Sequence, residues 1–258
     1  MDDIVLLRQE GAVLTVTLNR PQQHNALTPE LIERLTAVFL HYADRREIRV
    51  IVLTGNGRSF CAGADLKTMR AAADYDFAAN VADGKQIFDL MQAIDACPKP
   101  VIGRVNGAAI GGGVGLVSAC DIVVAVERAR FAFSEARLGL VPAVISPFVL
   151  AKIGVGNGRE LFLTGERFDA YRAQRIGLVQ HVVAEEALDT AVTERIEQLL
   201  LAAPGAQAAA KELIRQVAHQ PVSEVRDLTA NFIAQRRASA EGREGMSAFL
   251  EKRDPDWR

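Results

Sequence analysis

Two hydrophobic periods take turns along the chain. Val13-Leu14-Thr15-Val16-Thr17-Leu18 alternates apolar and polar residues, and Gly11 stands just before it, the pattern of a half-buried strand. Thr28-Pro29 then opens a stretch in which Ile32, Leu35, Phe39 and Tyr42 recur at helical spacing. Threonine at the N-cap and proline at the first helical position suit that start, and the spacing gives the helix one inward face. Arg49-Val50-Ile51-Val52-Leu53-Thr54 is almost continuously apolar, which predicts a strand in a sheet covered on both sides. The alternation recurs as a helix over 83–96, stopped near Pro98 and Pro100, and a strand over 100–106. A glycine-rich turn leads from there into a small-residue helix over 113–119, followed by strands over 122–126 and 129–133. Units of this length cannot bury their faces singly, so the pattern predicts an α/β fold of stacked units with parallel pairing.

After about Val183 only the helical period remains. Leu188, Val192, Ile196 and Leu199 share one face, and Pro204-Gly205 breaks that helix. Leu213, Ile214 and Val217 mark the next helix, Pro221 breaks again, and Val222, Val225, Leu228 and Phe232 mark a third. Two regions are expected: a core over 1–200 and a helical region over 201–258 that packs on its own core or on a neighbouring subunit.

Composition narrows the function classes. Apolar residues make up 49% and charged residues 24% of the 258, enough for a sizeable core and against disorder. The formal charge of −2 gives no general attraction to nucleic acid or an anionic membrane, so an anionic ligand needs local groups. The acidic start lacks the layout of a signal peptide. The longest apolar run, around 108–126, is interrupted by glycines, Ser118 and Asp121, and so predicts buried core rather than a membrane span. Cys61, Cys97 and Cys120 have no CxxC spacing and suit a reducing cytoplasm. The four histidines are scattered, with no HExxH and no pairing with cysteine, so no structural metal site is expected.

The candidate chemistry lies in two glycine-rich turns. The first is Ser59-Phe60-Cys61-Ala62-Gly63-Ala64-Asp65-Leu66 and the second Asn106-Gly107-Ala108-Ala109-Ile110-Gly111-Gly112-Gly113, each just after a strand. Glycine permits positive φ and close approach of a ligand, and a helix that follows offers free N–H groups. Two such turns at neighbouring strand ends could aim two N–H groups at one oxygen, which is an oxyanion hole. The same small residues equally suit tight helix–sheet packing. A GxGxxG fingerprint fails because Leu116 stands where its last glycine belongs, and no phosphate loop or GxSxG elbow exists.

These turns, with three further segments, resemble the crotonase (enoyl-CoA hydratase/isomerase) superfamily. Phe60–Leu66 and Val105–Gly113 resemble its two CoA-binding segments, and Ser134-Glu135-Ala136-Arg137-Leu138-Gly139-Leu140-Val141-Pro142 its catalytic-glutamate segment. Leu163-Thr164-Gly165-Glu166-Arg167 and the stretch over 244–253 complete a resemblance that covers nearly the whole chain. It implies a spiral of ββα turns with a helical C-terminal region that builds homotrimers or hexamers. It implies that the N–H groups of Ala64 and Gly112 bind a thioester oxygen and that Glu135 is the acid/base. Asn25, Ala26, Leu27, Ala62, Asp65, Leu66, Lys67, Gly111, Pro142 and Ala143 are implied to line the acyl-CoA site, with Lys252 and Arg253 as further candidates. Coenzyme A enters as part of the substrate, and no separate cofactor is implied.

Gly115 departs from the pattern. Hydratases with two glutamates carry the second one at this position, and a glycine can neither orient nor deprotonate water. Three expectations follow. One is hydration with water held by Glu135 and a carboxylate of the substrate itself, with Ser146, Arg137 and Arg104 as candidate helpers. The run over 112–116 together with 142–148 resembles the bacterial branch that hydrates 3-methylglutaconyl-CoA and isohexenylglutaconyl-CoA in leucine or terpene breakdown, which makes this the preferred expectation. The others are a single-glutamate enoyl-CoA isomerase and a CoA-binding subunit without turnover.

Overall fold

The computed structural model describes residues 3–72 and 74–258. Its first element is one the pattern did not mark: β1 (Val5–Glu10), antiparallel to β2 (Val13–Leu18) at the sheet edge. Only Val5 of β1 is buried, so this edge strand carries no alternation to read. In β2 the alternation is realised, with Leu14, Val16 and Leu18 turned to the core. α1 (Pro29–Ala43) starts as expected, its Thr28 hydroxyl accepting from the Leu31 N–H at 3.3 Å.

From there the chain winds in turns that each give one strand to each of two sheets. β3 (Val50–Gly55) and β4 (Ser59–Cys61) begin the first turn, closed by α2 (Leu66–Ala72) and α3 (Phe77–Asp95). β5 (Val101–Val105) and β6 (Ala108–Ile110) lead to α4 (Gly112–Ala119). β7 (Ile122–Val126) and β8 (Arg130–Ala132) lead through a 3-10 helix at Ser134–Leu138 to α5 (Ser146–Thr164). After β9 (Arg167–Asp169), α6 (Ala170–Arg175) and β10 (His181–Val183), the sheets are complete. One has the order β1-β2-β3-β5-β7-β10, parallel from β2 onward, and the other the order β4-β6-β8-β9. This is the α/β spiral of ββα turns. Every residue of β3 is buried, as its continuous apolar run requires of a strand covered on both faces.

α3 begins at Phe77 rather than near residue 83. Asp76 caps it, accepting from the Ala79 N–H at 2.7 Å, but its first turns are exposed and carry no apolar period. α7 (Leu188–Leu201) lies against β3, β5 and β7. α8 (Pro204–Val217), α9 (Arg226–Ala238) and α10 (Ala240–Glu251) pack on one another beyond it. Among the described residues no helix is long and apolar enough to cross a membrane.

Candidate active site

The two glycine-rich turns meet because β4 and β6 are parallel neighbours. In the first turn Gly63 sits at φ +86°, a left-handed conformation open to glycine at little cost. The Leu27 N–H donates to Gly63 O at 2.7 Å and the Asp65 N–H to Leu27 O at 3.0 Å. These bonds straddle Ala64 in a parallel bridge, so its own N–H points away from Leu27. In the second turn Gly111, at φ +51°, donates to Ala132 O at 2.8 Å and starts α4. Gly112 is then the first residue of the helix, where an N–H has no partner within the helix. Among the described residues neither the Ala64 nor the Gly112 N–H donates to another protein group.

The turns approach too closely for side chains. A Cβ on Gly63 would lie 2.6 Å from Ile110 O and 3.6 Å from the Gly112 nitrogen. One on Gly113 would run into the Cys61 carbonyl and lie 3.0 Å from Cys61 Cβ. The glycines therefore allow tight packing of the two turns, the plainer of the two interpretations, and bring Gly63 of one beside the free Gly112 N–H of the other.

Glu135 lies beside the second turn. The 3-10 helix after β8 carries it over the second turn, its Oε1 2.9 Å from where a Gly111 Cβ would be. Burial pushes its carboxyl above the usual glutamate range, opposed in part by a backbone N–H. Its Oε2 is buried with no hydrogen-bond partner among the described residues. A carboxyl that is easily protonated and not held by a neighbour suits proton transfer.

The position that lacks a second glutamate is filled by apolar groups. A Cβ on Gly115 would collide with the Ile145 γ2 methyl and lie 3.1 Å from both Ile145 Cβ and Met91 Cε. Ile145 is 2% and Met91 0% exposed. The three polar helper candidates are engaged elsewhere: Arg137 Nε donates to Thr164 O, Ser146 Oγ to Ala143 O, and Arg104 pairs with Asp189 at 2.7 Å.

The other implied site residues divide by exposure. Ala64, Leu66, Lys67 and Ala143 are exposed and Ala62 half-buried, whereas Pro142, Gly111, Ala26 and Leu27 are buried. Asn25 is fully buried at φ +57°, its amide donating to the carbonyls of Asn56, Ser59 and Phe60. That side chain holds the loops together and presents nothing to a ligand. Asp65 caps α2, accepting from the Lys67 N–H at 2.9 Å, and pairs with Arg20 at 3.2 Å. Lys252 and Arg253 follow α10, and Arg253 turns back to pair with Glu244 and Glu251. Sequence reasoning missed Arg20, Met91 and Ile145. Arg20 meets Asp65 across 45 residues, and no local spacing signals such a pair.

Two cavities lie elsewhere. One of about 460 Å³ is lined by Ile233, Met246, Phe249 and Trp257 of the helical tail, and one of about 560 Å³ by residues of α1 and α3.

The family model described as enoyl-CoA hydratase/isomerase matches residues 8–258. A carnitinyl-CoA dehydratase of Citrobacter koseri is 38% identical, the match covering 100% of this chain and 99% of that protein. Among solved structures, an enoyl-CoA hydratase from Shewanella pealeana superposes with a TM-score of 0.96 at 38% identity, covering 99% of this chain and 96% of the other. Pseudomonas aeruginosa AtuE superposes with a TM-score of 0.95, also at 38% identity, covering 99% of both chains.

Proposed function

Because the chain belongs to the enoyl-CoA hydratase/isomerase family, we propose that it is a lyase adding water reversibly to an α,β-unsaturated acyl-CoA with one carboxylate. The observation that carries this is Glu135: half-buried, raised in pKa, with a buried and unpartnered oxygen, and placed over the turn that offers the Gly112 N–H. The N–H groups of Ala64 and Gly112 receive the thioester oxygen. As the Glu135 carboxylate takes a proton from water, the water oxygen bonds to Cβ and the double-bond pair moves toward the carbonyl. The enolate oxygen so formed is where the two N–H groups act most strongly. Glu135 then returns its proton to Cα, so that the elements of water add across the double bond. Dehydration runs through the same steps in reverse.

For the acyl group, the curated relative described above is a carnitinyl-CoA dehydratase, one of many that match, and not a methylglutaconyl-CoA hydratase. The leucine and terpene routes therefore have only the resemblance of residues 112–116 and 142–148 behind them. One feature favours a second reaction. With Gly115 closed by Ile145 and Met91, a lone carboxylate can also move a proton between Cα and Cγ and so shift a double bond. A CoA-binding subunit without turnover is disfavoured by the intact Glu135. Exposed Ile214, Ile233, Met246, Phe249 and Leu250 on the helical tail support assembly of homotrimers or hexamers.

The test follows absorbance of the conjugated thioester with crotonyl-CoA, 3-methylglutaconyl-CoA and a 3-enoyl-CoA, and its appearance from carnitinyl-CoA. Loss of conjugation from a 2-enoyl substrate, or its gain from carnitinyl-CoA, abolished in Glu135→Gln, supports the lyase. Gain from the 3-enoyl substrate alone replaces it with an isomerase.

A further inference from the structure

Arg20 joins both sides of the bridge that orients Ala64. It stands between β2 and α1, its side chain 18% exposed. One guanidinium nitrogen donates to Ala26 O at 2.5 Å and another to Asp65 Oδ2 at 3.2 Å. Its own backbone N–H donates to Asn25 Oδ1 at 2.9 Å. Asn25 in turn is bonded to three carbonyls of the loop between β3 and β4 and of β4 itself. Ala26 and Asp65 each adjoin a partner of the Leu27–Ala64 bridge. The fork thus ties the residue before Leu27 to the residue after Ala64, and Asp65 Oδ1 also starts α2 through the Lys67 N–H.

From this geometry we propose that Arg20, acting through Ala26 and Asp65 on the two sides of the bridge, is a positioning residue that fixes the direction of the Ala64 N–H and so the strength of the oxyanion site. The proposal rests on the functional assignment of Ala64 above. The Ala64 N–H shares a peptide plane with Gly63 O, which accepts from the Leu27 N–H, and the Leu27 N–H shares a plane with Ala26 O. By holding Ala26 O on one side and Asp65 on the other, the two bonds of the fork fix the bridge in a way that one bond cannot. A donor swung off its line loses hydrogen-bond strength steeply with angle. The loss falls on the enolate more than on the bound thioester, because charge on the oxygen is greatest in the transition state. Arg20→Met should therefore lower kcat with little change in KM. The decrease should be roughly tenfold to a hundredfold, less than the ~10²–10³ typical of removing an oxyanion donor outright.

A solely structural role for Arg20 would alter stability but not polarisation of the bound carbonyl. The deciding measurement is the infrared stretch of butyryl-CoA labelled with ¹³C at the thioester carbonyl, bound to wild type, Arg20→Met, Arg20→Lys and Asp65→Asn. In the wild type the two N–H groups shift the stretch to lower frequency. The expected result is a smaller shift in Arg20→Met and an intermediate one in Arg20→Lys, which keeps the charge but only one of the two bonds. Should Arg20→Met fail to fold, Arg20→Lys and Asp65→Asn carry the comparison. Wild-type shifts in every folded variant would overturn the latch and leave the proposed function standing. No shift in the wild type would remove the oxyanion assignment, and the latch with it.

Discussion

At the scale of the residue, catalysis and stability pull Glu135 in opposite directions. Its carboxyl titrates above the ordinary glutamate value because burial disfavours the anion. Such a group contributes stability that is full below its unfolded pKa and is lost as pH rises through the folded one. Glu135→Gln should thus melt higher than wild type at neutral pH, the difference closing below about pH 4, while activity falls by ~10²–10⁴. Calorimetry across pH beside the absorbance assay reads both effects; a variant less stable at pH 7 would contradict the burial argument. Asp65 has the opposite sign. Burial raises its pKa, but the Lys67 N–H, Arg20 and the Thr68 N–H together outweigh burial and hold it below the usual range. Its contribution is present above the unfolded value near 3.9 and is lost as pH falls through the folded one. Asp65→Asn should be less stable than wild type at pH 7 and equal to it in strong acid, as urea titrations at the two pH values would show.

At the scale of the element, α4 is set by what its glycines admit. Gly113→Ala forces a methyl into the Cys61 carbonyl, so the helix must leave β4 or the turn must shift. A loss of about 1–3 kcal/mol is expected for overpacking of this kind, read as a lower urea midpoint. Gly115→Glu should not create a second catalytic carboxylate. Its stem meets Ile145 and Met91, so the expected outcome is a destabilised protein with no gain in hydration rate. An increase would show that these two side chains yield. The glycines themselves were legible in the sequence, as were their places after strands. Their contacts were not, since Gly115 meets Met91 of α3, before it in the chain, and Ile145, the residue that leads into α5 after it. α3 was legible only from its buried half, because Phe77 and its neighbours face outward.

At the scale of the whole molecule, α8–α10 leave large apolar side chains uncovered, Phe249 at 83% and Leu250 at 79% exposure. Exposed residues of this size, clustered on one helical layer, mark association surfaces. Light scattering should give a mass that is a multiple of three chains of 28.0 kDa, and Phe249→Glu with Leu250→Glu should lower it. A monomeric wild type would remove the oligomer from the proposed function. The sequence by itself determined the α/β class, the alternation of strands and helices, the helical tail and the places of the glycine-rich turns after strands. Each of those is written in local periodicity or in a short run of residues, where backbone geometry dictates side-chain direction. Only the tertiary structure decided that the two turns touch, that Asn25 is buried, that Arg20 spans the Leu27–Ala64 bridge, and that Ile145 and Met91 occupy the space beside Gly115. Those facts join residues far apart in the chain, and packing rather than periodicity brings them together.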